Sequence, residues 1–321
     1  MICQVCTHDK FKKHGKTRDG QQRYRCCDCG KTCSEPKPLY GLATDISKAA
    51  QALGMLLEGM SIRATARLTG LDKDTVQRIV EVAGQQCHQF MADTMQNLTC
   101  TDIQCDEVWS FVAMKERTAF FQGGHVDAGD AYVFTAIDRE TKLLICYHVG
   151  KRDSEHALEF TSKLGNCIAD THRPHISTDG YTPYKIAIPA AFGHAVDHGM
   201  VIKEFGTPTK SEQRRYSPAK IIGFKTYQNS GHSEDGQICT SHVERHNLTI
   251  RMQNRRFTRL TNAFSKKWEN HQAMFALFAA YYNFCRKHQT LKATPAAAAG
   301  LADGQWTLER LLEESAKSMA A

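Results

Sequence analysis

The sequence predicts an α/β core with at least part of its sheet parallel, preceded by a zinc ribbon and a helix-turn-helix. Three observations carry this. Between Thr101 and Thr178, β-rich runs lead into a helix and then a further strand. Two Cys-x-x-Cys pairs stand near the N-terminus, and a short helical stretch broken by glycines separates them from the core. The length of 321 residues suits about two domains. With 41% hydrophobic and 23% charged residues, the composition excludes wholesale disorder. The most apolar stretch, Met274 to Phe284, falls well short of the roughly 18 residues of a membrane span, so no membrane partner is expected. Met1 to Cys6 shows neither a basic leader nor an apolar core, which predicts a cytoplasmic protein.

Residues 1–40 are expected to form the ribbon. Cys3-x-x-Cys6 and Cys26-x-x-Cys29-Gly30 are nineteen residues apart, the spacing of a four-thiolate zinc site. One structural Zn²⁺ would replace the core that forty residues cannot build. Cys27, Cys33, His8 and His14 stand close enough to compete as ligands. Glu35 to Pro38 reads as a linker.

Residues 41–98 are expected to carry the helix-turn-helix. From Ile62, small Ala66 comes at the fifth position, Gly70 at the ninth, Val76 at the fifteenth and Ile79 at the eighteenth. Ala66 lets two helices cross closely, Gly70 turns between them and Asp72 caps the second. That helix offers Lys73, Thr75, Gln77 and Arg78 to phosphates and base edges of double-stranded DNA.

Residues 99–292 read as the α/β domain, with strands at Ile103–Val112, Ala131–Ile137 and Leu143–Val149 and turn chemistry at Gly129-Asp130 and Asp138–Thr141. A helix from Asp153 to Cys167 and a strand at His175–Thr178 follow, with one more strand expected at Met200–Phe205. The segment Gly206 to Thr240 is poor in large apolar residues and is expected to be an insertion or hairpin. Helices dominate from His242, and residues 293–321 form a C-terminal helical tail. Between Arg245 and Lys292 ten Lys or Arg face the single acid Glu269, a block that favours a polyanionic partner over the modest net charge of +7.

Asp106 interrupts an apolar strand, and a carboxylate there needs a reason, because burial without a partner is costly. Asp179 stands immediately after the strand His175–Thr178. Glu244 lies on a helix whose same face carries Asn247, Arg251 and Arg255. Two strand-associated aspartates and a helical glutamate form an all-oxygen set suited to two Mg²⁺ or Mn²⁺ ions, which can clamp the attacking and leaving oxygens of a phosphodiester. Glu107 is an alternative first ligand, although strand alternation turns it to the opposite face from Asp106. Trp109, Phe120 and Phe121 are expected in the core, His194 and His198 in structural or surface roles, and His271 and His288 in packing or phosphate contacts.

The stretches Asp106-Glu107-Val108-Trp109-Ser110-Phe111, Ser177-Thr178-Asp179-Gly180, Val243 to Arg251, Arg255 to Asn262, Phe264-Ser265-Lys266-Lys267 and Tyr282-Asn283-Phe284-Cys285-Arg286 closely resemble bacterial transposases of the insertion-sequence-one family. The resemblance covers nearly the whole chain. It implies a ribonuclease H-like catalytic core, a mixed sheet flanked by helices, with an Asp, Asp, Glu triad mapping onto Asp106, Asp179 and Glu244. It also implies a DDE transposase that cleaves element ends with water and joins the 3′-hydroxyl to target DNA, working as a homo-oligomer on the nucleoid. About 64 residues separate Asp179 from Glu244, more than in shorter members, which marks 206–240 as an insertion. Arg245, Asn247, Arg251, Arg255, Arg256 and Arg259 are then expected DNA contacts. The rival expectations are a non-catalytic DNA-binding regulator derived from a transposase, and a nuclease or resolvase with the same core.

Overall fold

The computed structural model describes residues 3, 6, 8–17, 22–34, 38–123, 127–206, 220–234, 236–259 and 261–319. Most of the expected linker Glu35–Pro38 and the middle of the segment Gly206–Thr240 lie outside these residues. The first unit is an antiparallel sheet, β1 (Phe11–Lys16), β2 (Gln22–Cys26) and β3 (Thr32–Ser34). Among the described residues from 3 to 34 the buried apolar side chains are Cys3 and Cys26, and these supply no hydrocarbon core to the sheet.

Three helices follow: α1 (Ile46–Leu57), α2 (Ile62–Thr69) and α3 (Lys73–Thr94). Each start is capped by a side-chain oxygen, from Asp45, Ser61 and Asp72, that accepts a first-turn N–H. Gly70 ends α2 at φ 69°, a left-handed turn that glycine adopts without strain. The helix-turn-helix read from Ala66, Gly70, Val76 and Ile79 therefore has its expected local geometry, with Val76 and Ile79 fully buried.

The core sheet runs β4 (Asp102–Val112), β5 (Gly129–Asp138), β6 (Leu144–Gly150), β7 (His175–Asp179), β8 (Asp197–Phe205) and β9 (Ile221–Ser230) along the chain. In space the order is β6-β5-β4-β7-β8-β9. The pairs β4–β5, β5–β6 and β8–β9 are antiparallel, and β4–β7 and β7–β8 are parallel. This mixed sheet, flanked by helices, is compatible with a ribonuclease H-like core. After β4 comes the short α4 (Glu116–Phe121); α5 (Ser154–Cys167), capped by Asp153, joins β6 to β7, and α6 (Tyr184–Phe192) joins β7 to β8. Then follow α7 (Ser241–Gln253), α8 (Trp268–Phe284), α9 (Pro295–Ala298) and α10 (Leu308–Ser318).

Two expectations need correction. Phe120 and Phe121 are 77% and 73% exposed, because α4 buries only Ala119. Gly129-Asp130 opens β5 instead of making a turn: Asp130 pairs with Phe111, extending the ladder outward. The turn at Asp138–Thr141 is present, held by Asp138 Oδ2 accepting from the Thr141 N–H and hydroxyl.

One buried cluster runs from Leu53, Leu57 and Val80 of the helical unit, through Phe275 and Phe278 of α8, to Val133 and Phe134 of β5 and Phe160 of α5. At its centre α3 crosses α8 so closely that a Cβ on Gly84 would lie 2.3 Å from the Ala273 carbonyl oxygen. The tail returns to the same region, where Leu311 and Leu312 of α10 are fully buried. No helix among the described residues is long and apolar enough to cross a membrane.

Candidate metal centres and nucleic-acid interface

In the ribbon, Cys3, Cys6, Cys26 and Cys29 gather with all four sulfurs within 4.8 Å of one another. The Cys3 and Cys29 sulfurs are 3.5 Å apart and those of Cys6 and Cys26 3.4 Å. Gly30, at φ 71°, turns the chain back so that its N–H reaches the Cys26 carbonyl. Four converging thiols are a donor set that fits Zn²⁺. Cys27 is exposed, and His8 pairs with Asp28 at 3.3 Å.

The carboxylates meet where β7 ends. β4 and β7 run parallel up to the pair Cys105–Thr178; Asp179 closes β7, while β4 continues past Asp106 and Glu107 paired only with β5 on its other edge. Asp106 contacts α7, where Asn247 Nδ2 donates to its Oδ2 at 2.8 Å. Glu107 contacts α6, where the Tyr184 hydroxyl donates to its Oε1. The two side chains therefore leave opposite faces, as alternation requires. Their carboxylates nonetheless come together, because past the end of β7 no strand stands between them: Asp106, Glu107 and Asp179 bring oxygens within 4.8 Å of one another. The expectation that alternation removes Glu107 from the site is thus corrected.

Glu244 stands at the margin. Its Oε1 accepts from Lys203 Nζ at 2.7 Å and from the Thr240 hydroxyl at 2.6 Å. The helix that carries it is docked by Gln104, whose Oε1 accepts from the N–H groups of His242 and Val243 and so caps α7 directly on β4. Arg152 supplies the other positive charge: Nε donates to Glu107 Oε2 at 3.1 Å, and Nη2 lies 3.6 Å from Asp179 Oδ2. A cleft of about 500 Å³ opens beside these groups, lined by Arg152, Asp179, Tyr181, Lys203 and Phe205 among others.

Burial, then repulsion from Asp179, pushes Asp106 up to about 7 and Glu107 up to about 8. Asp179 is raised as well, chiefly by burial. Two cations are therefore not enough for the gathered carboxylates. The all-oxygen set and its excess negative charge fit a divalent cation, with Asp106, Asp179 and Glu107 as the converging ligands and Glu244 within reach of the same field.

On the helix-turn-helix, Lys73 and Arg78 are exposed and Thr75 half-buried on α3. Gln77 is engaged: its Oε1 accepts from Arg256 Nη2 at 3.0 Å and its Nε2 donates to Glu81. Arg256 also donates to Ser265 Oγ, and burial lowers it to about 10. Ser265 leads on to His271 Nδ1, and His271 Nε2 to Ser110 Oγ on β4, both at 3.0 Å. Since the Ser110 hydroxyl donates to the Ala131 carbonyl, His271 carries its proton on Nε2. Arg251 donates to the carbonyls of Trp109 and Phe257. Of the expected DNA contacts, Arg245, Arg255 and Arg259 are exposed, whereas Asn247 is turned inward to Asp106, and Arg251 and Arg256 are tied into the fold. Sequence periodicity put Asn247 and Arg251 on one face but could not say that this face meets β4. His198 and His271 have structural partners, as expected; His198 Nε2 is 3.0 Å from Thr178 Oγ1.

Compared with known proteins, the chain matches no family model and no curated sequence.

Proposed function

We propose that the protein is a metal-dependent DNA transposase of the insertion-sequence-one type, with a ribonuclease H-like core. The observation that carries this reading is the convergence of Asp106 and Asp179 on adjacent parallel strands at the point where one of them ends. The sheet order supports it, as do the four-thiol ribbon, the capped helix-turn-helix and the motif resemblance. In this reading the ribbon and helix-turn-helix bind double-stranded element ends, and the chain acts as a homo-oligomer on DNA.

Asp106 and Asp179 would hold the ions and Glu244 would join them from α7, with Glu107, the alternative ligand of the sequence, as a fourth carboxylate. Asn247 and the Glu107 N–H fix both oxygens of Asp106, and the Tyr181 N–H fixes Asp179 Oδ1, so these ligands are oriented before any ion arrives. Lys203 and Arg152 offset part of the carboxylate charge and stand where a phosphodiester would approach. Bound Mg²⁺ or Mn²⁺ would activate water or a 3′-hydroxyl and stabilise the leaving oxygen.

A labelled end duplex incubated with Mg²⁺, Mn²⁺ or chelator, and followed for nicking and for joining to plasmid, tests the reading. Asp106→Asn and Asp179→Asn should each bind DNA but lose about a hundredfold or more of the reaction, and comparison of Glu107→Gln with Glu244→Gln identifies the third ligand. A parent that binds ends tightly but neither nicks nor joins with any divalent ion is a regulator. One that nicks without joining is a nuclease.

A further inference from the structure

A second cleft lies away from the carboxylates. It holds about 650 Å³ and opens along the seam between the helical unit and the core. From the helical unit come Ser61, Ile62 and Arg63, the first turn of α2; from the core come Asn254, Arg255, Arg256, Asn262, Lys266 and Asn270. Among the described residues neither Asp nor Glu lines it. Arg63, Arg255 and Lys266 are exposed and have no ion-pair partner among the described residues.

We propose that this seam cleft seats a phosphodiester of a nucleic-acid strand, held jointly by Arg63 of the helical unit and by Arg255 and Lys266 of the core. The proposal rests on the DNA-binding reading given above and adds to it a site outside both the recognition helix and the carboxylate centre. Three kinds of donor converge on the cleft. The cations are the first, and guanidinium and ammonium groups without acids among them favour an anion. The N-terminus of the eight-residue α2 is the second, with the positive end of its dipole and its first-turn N–H groups. The third is Asn254, a fully buried residue of the cleft's lining. Its Oδ1 accepts from the Arg256 N–H, but its Nδ2 donor has no partner. A buried amide donor left unsatisfied is costly, and an acceptor oxygen brought in through the cleft removes that cost. Because the lining is drawn from two units, a strand seated there bridges them, which a contact on either surface alone would not do.

Asn254→Asp is the informative substitution. The introduced carboxylate keeps an oxygen to accept from the Arg256 N–H, so the local cap survives, and it puts a negative acceptor where a donor stands. Fluorescence anisotropy with a labelled 30-base-pair duplex, titrated over a range of salt concentrations, reads the effect. The expected results are at least a tenfold weaker affinity for Asn254→Asp, in a variant whose Tm shows it folded at the assay temperature, and, for Arg63→Gln with Lys266→Gln, a log-affinity against log-salt slope smaller by about 2. Arg310→Gln with Lys317→Gln, cations of α10 paired with Asp303 and Glu314, should leave the slope unchanged. A parent that binds the duplex while Asn254→Asp and the Arg63/Lys266 pair match it in affinity and slope overturns this proposal alone. So does an equal fall in slope from the α10 pair. A parent that binds no duplex at any salt concentration overturns the DNA-binding reading together with this one.

Discussion

Asp106→Asn should make the metal-free protein more stable while abolishing its reaction. The structure gives the size of the gain. Asp106 titrates near 7 in the fold against an ordinary value of 3.8, so its ionised form is disfavoured by burial and by Asp179. The sign follows from proton linkage: an acid whose pKa is raised on folding contributes fully below 3.8, and that contribution is lost as pH rises through 7. A difference of about three pH units corresponds to about 4 kcal/mol at pH 8, the upper limit of what neutralising this side chain returns. The new amide is also accommodated. Asn247 Oδ1 has no partner, so a flip of the Asn247 amide lets it accept where its Nδ2 now donates. Urea unfolding at pH 8 and at pH 4, in buffer with stoichiometric zinc and no Mg²⁺, should show the variant more stable than the parent by roughly 2 to 4 kcal/mol at pH 8 and by almost nothing at pH 4. Adding Mg²⁺ should stabilise the parent and leave the variant unmoved. A variant less stable than the parent at pH 8, or one that gains equally at both pH values, would show that the fold does not hold Asp106 above its ordinary value.

Two further outcomes follow from groups away from this centre. Serine at Cys3, Cys6, Cys26 and Cys29 together should remove the bound zinc and unfold the ribbon; retention of stoichiometric zinc with an unchanged melting profile refutes the four-thiol site. His246 is buried against Tyr282 with neither ring nitrogen partnered, and burial lowers it to about 3, so its contribution is present above 6.5 and lost as pH falls below that value. His246→Phe should therefore gain about 3 kcal/mol on the parent between pH 7.5 and 4.5, and an equal acid response in both proteins would show that the imidazole is protonated without cost.

The parts of the structure legible in the sequence are those set by near neighbours. The thiol pairs lie within single turns, Gly70 and Asp72 specify the turn and cap beside them, and the strand limits around Asp106 and Asp179 follow local apolar patterning. What was not legible depends on where an element ends or what lies across it. Glu107 reaches Asp179 because β7 stops, which alternation within β4 alone cannot reveal. Arg256 looks like a phosphate contact in a basic run, yet it lies between Gln77 and Ser265, residues 179 and nine positions away. Nor does the apolar pattern of α3 say that it meets α8: only Gly84, an otherwise unremarked helical glycine, hints at the contact.

That crossing gives the molecule a built-in ruler. With backbone against backbone at Gly84 and Ala273, and with the relay from Gln77 through Arg256, Ser265 and His271 to Ser110 beside it, the helix proposed to read bases is locked to the strand that carries Asp106. The 22 residues of α3 span about 33 Å, close to one turn of B-form DNA. On the proposed reading, these contacts set the offset between the bases recognised and the phosphate cut. Inserting half a helical turn of DNA between those two positions would put the scissile phosphate on the wrong side of the duplex, and following it would mean breaking that crossing and its relay.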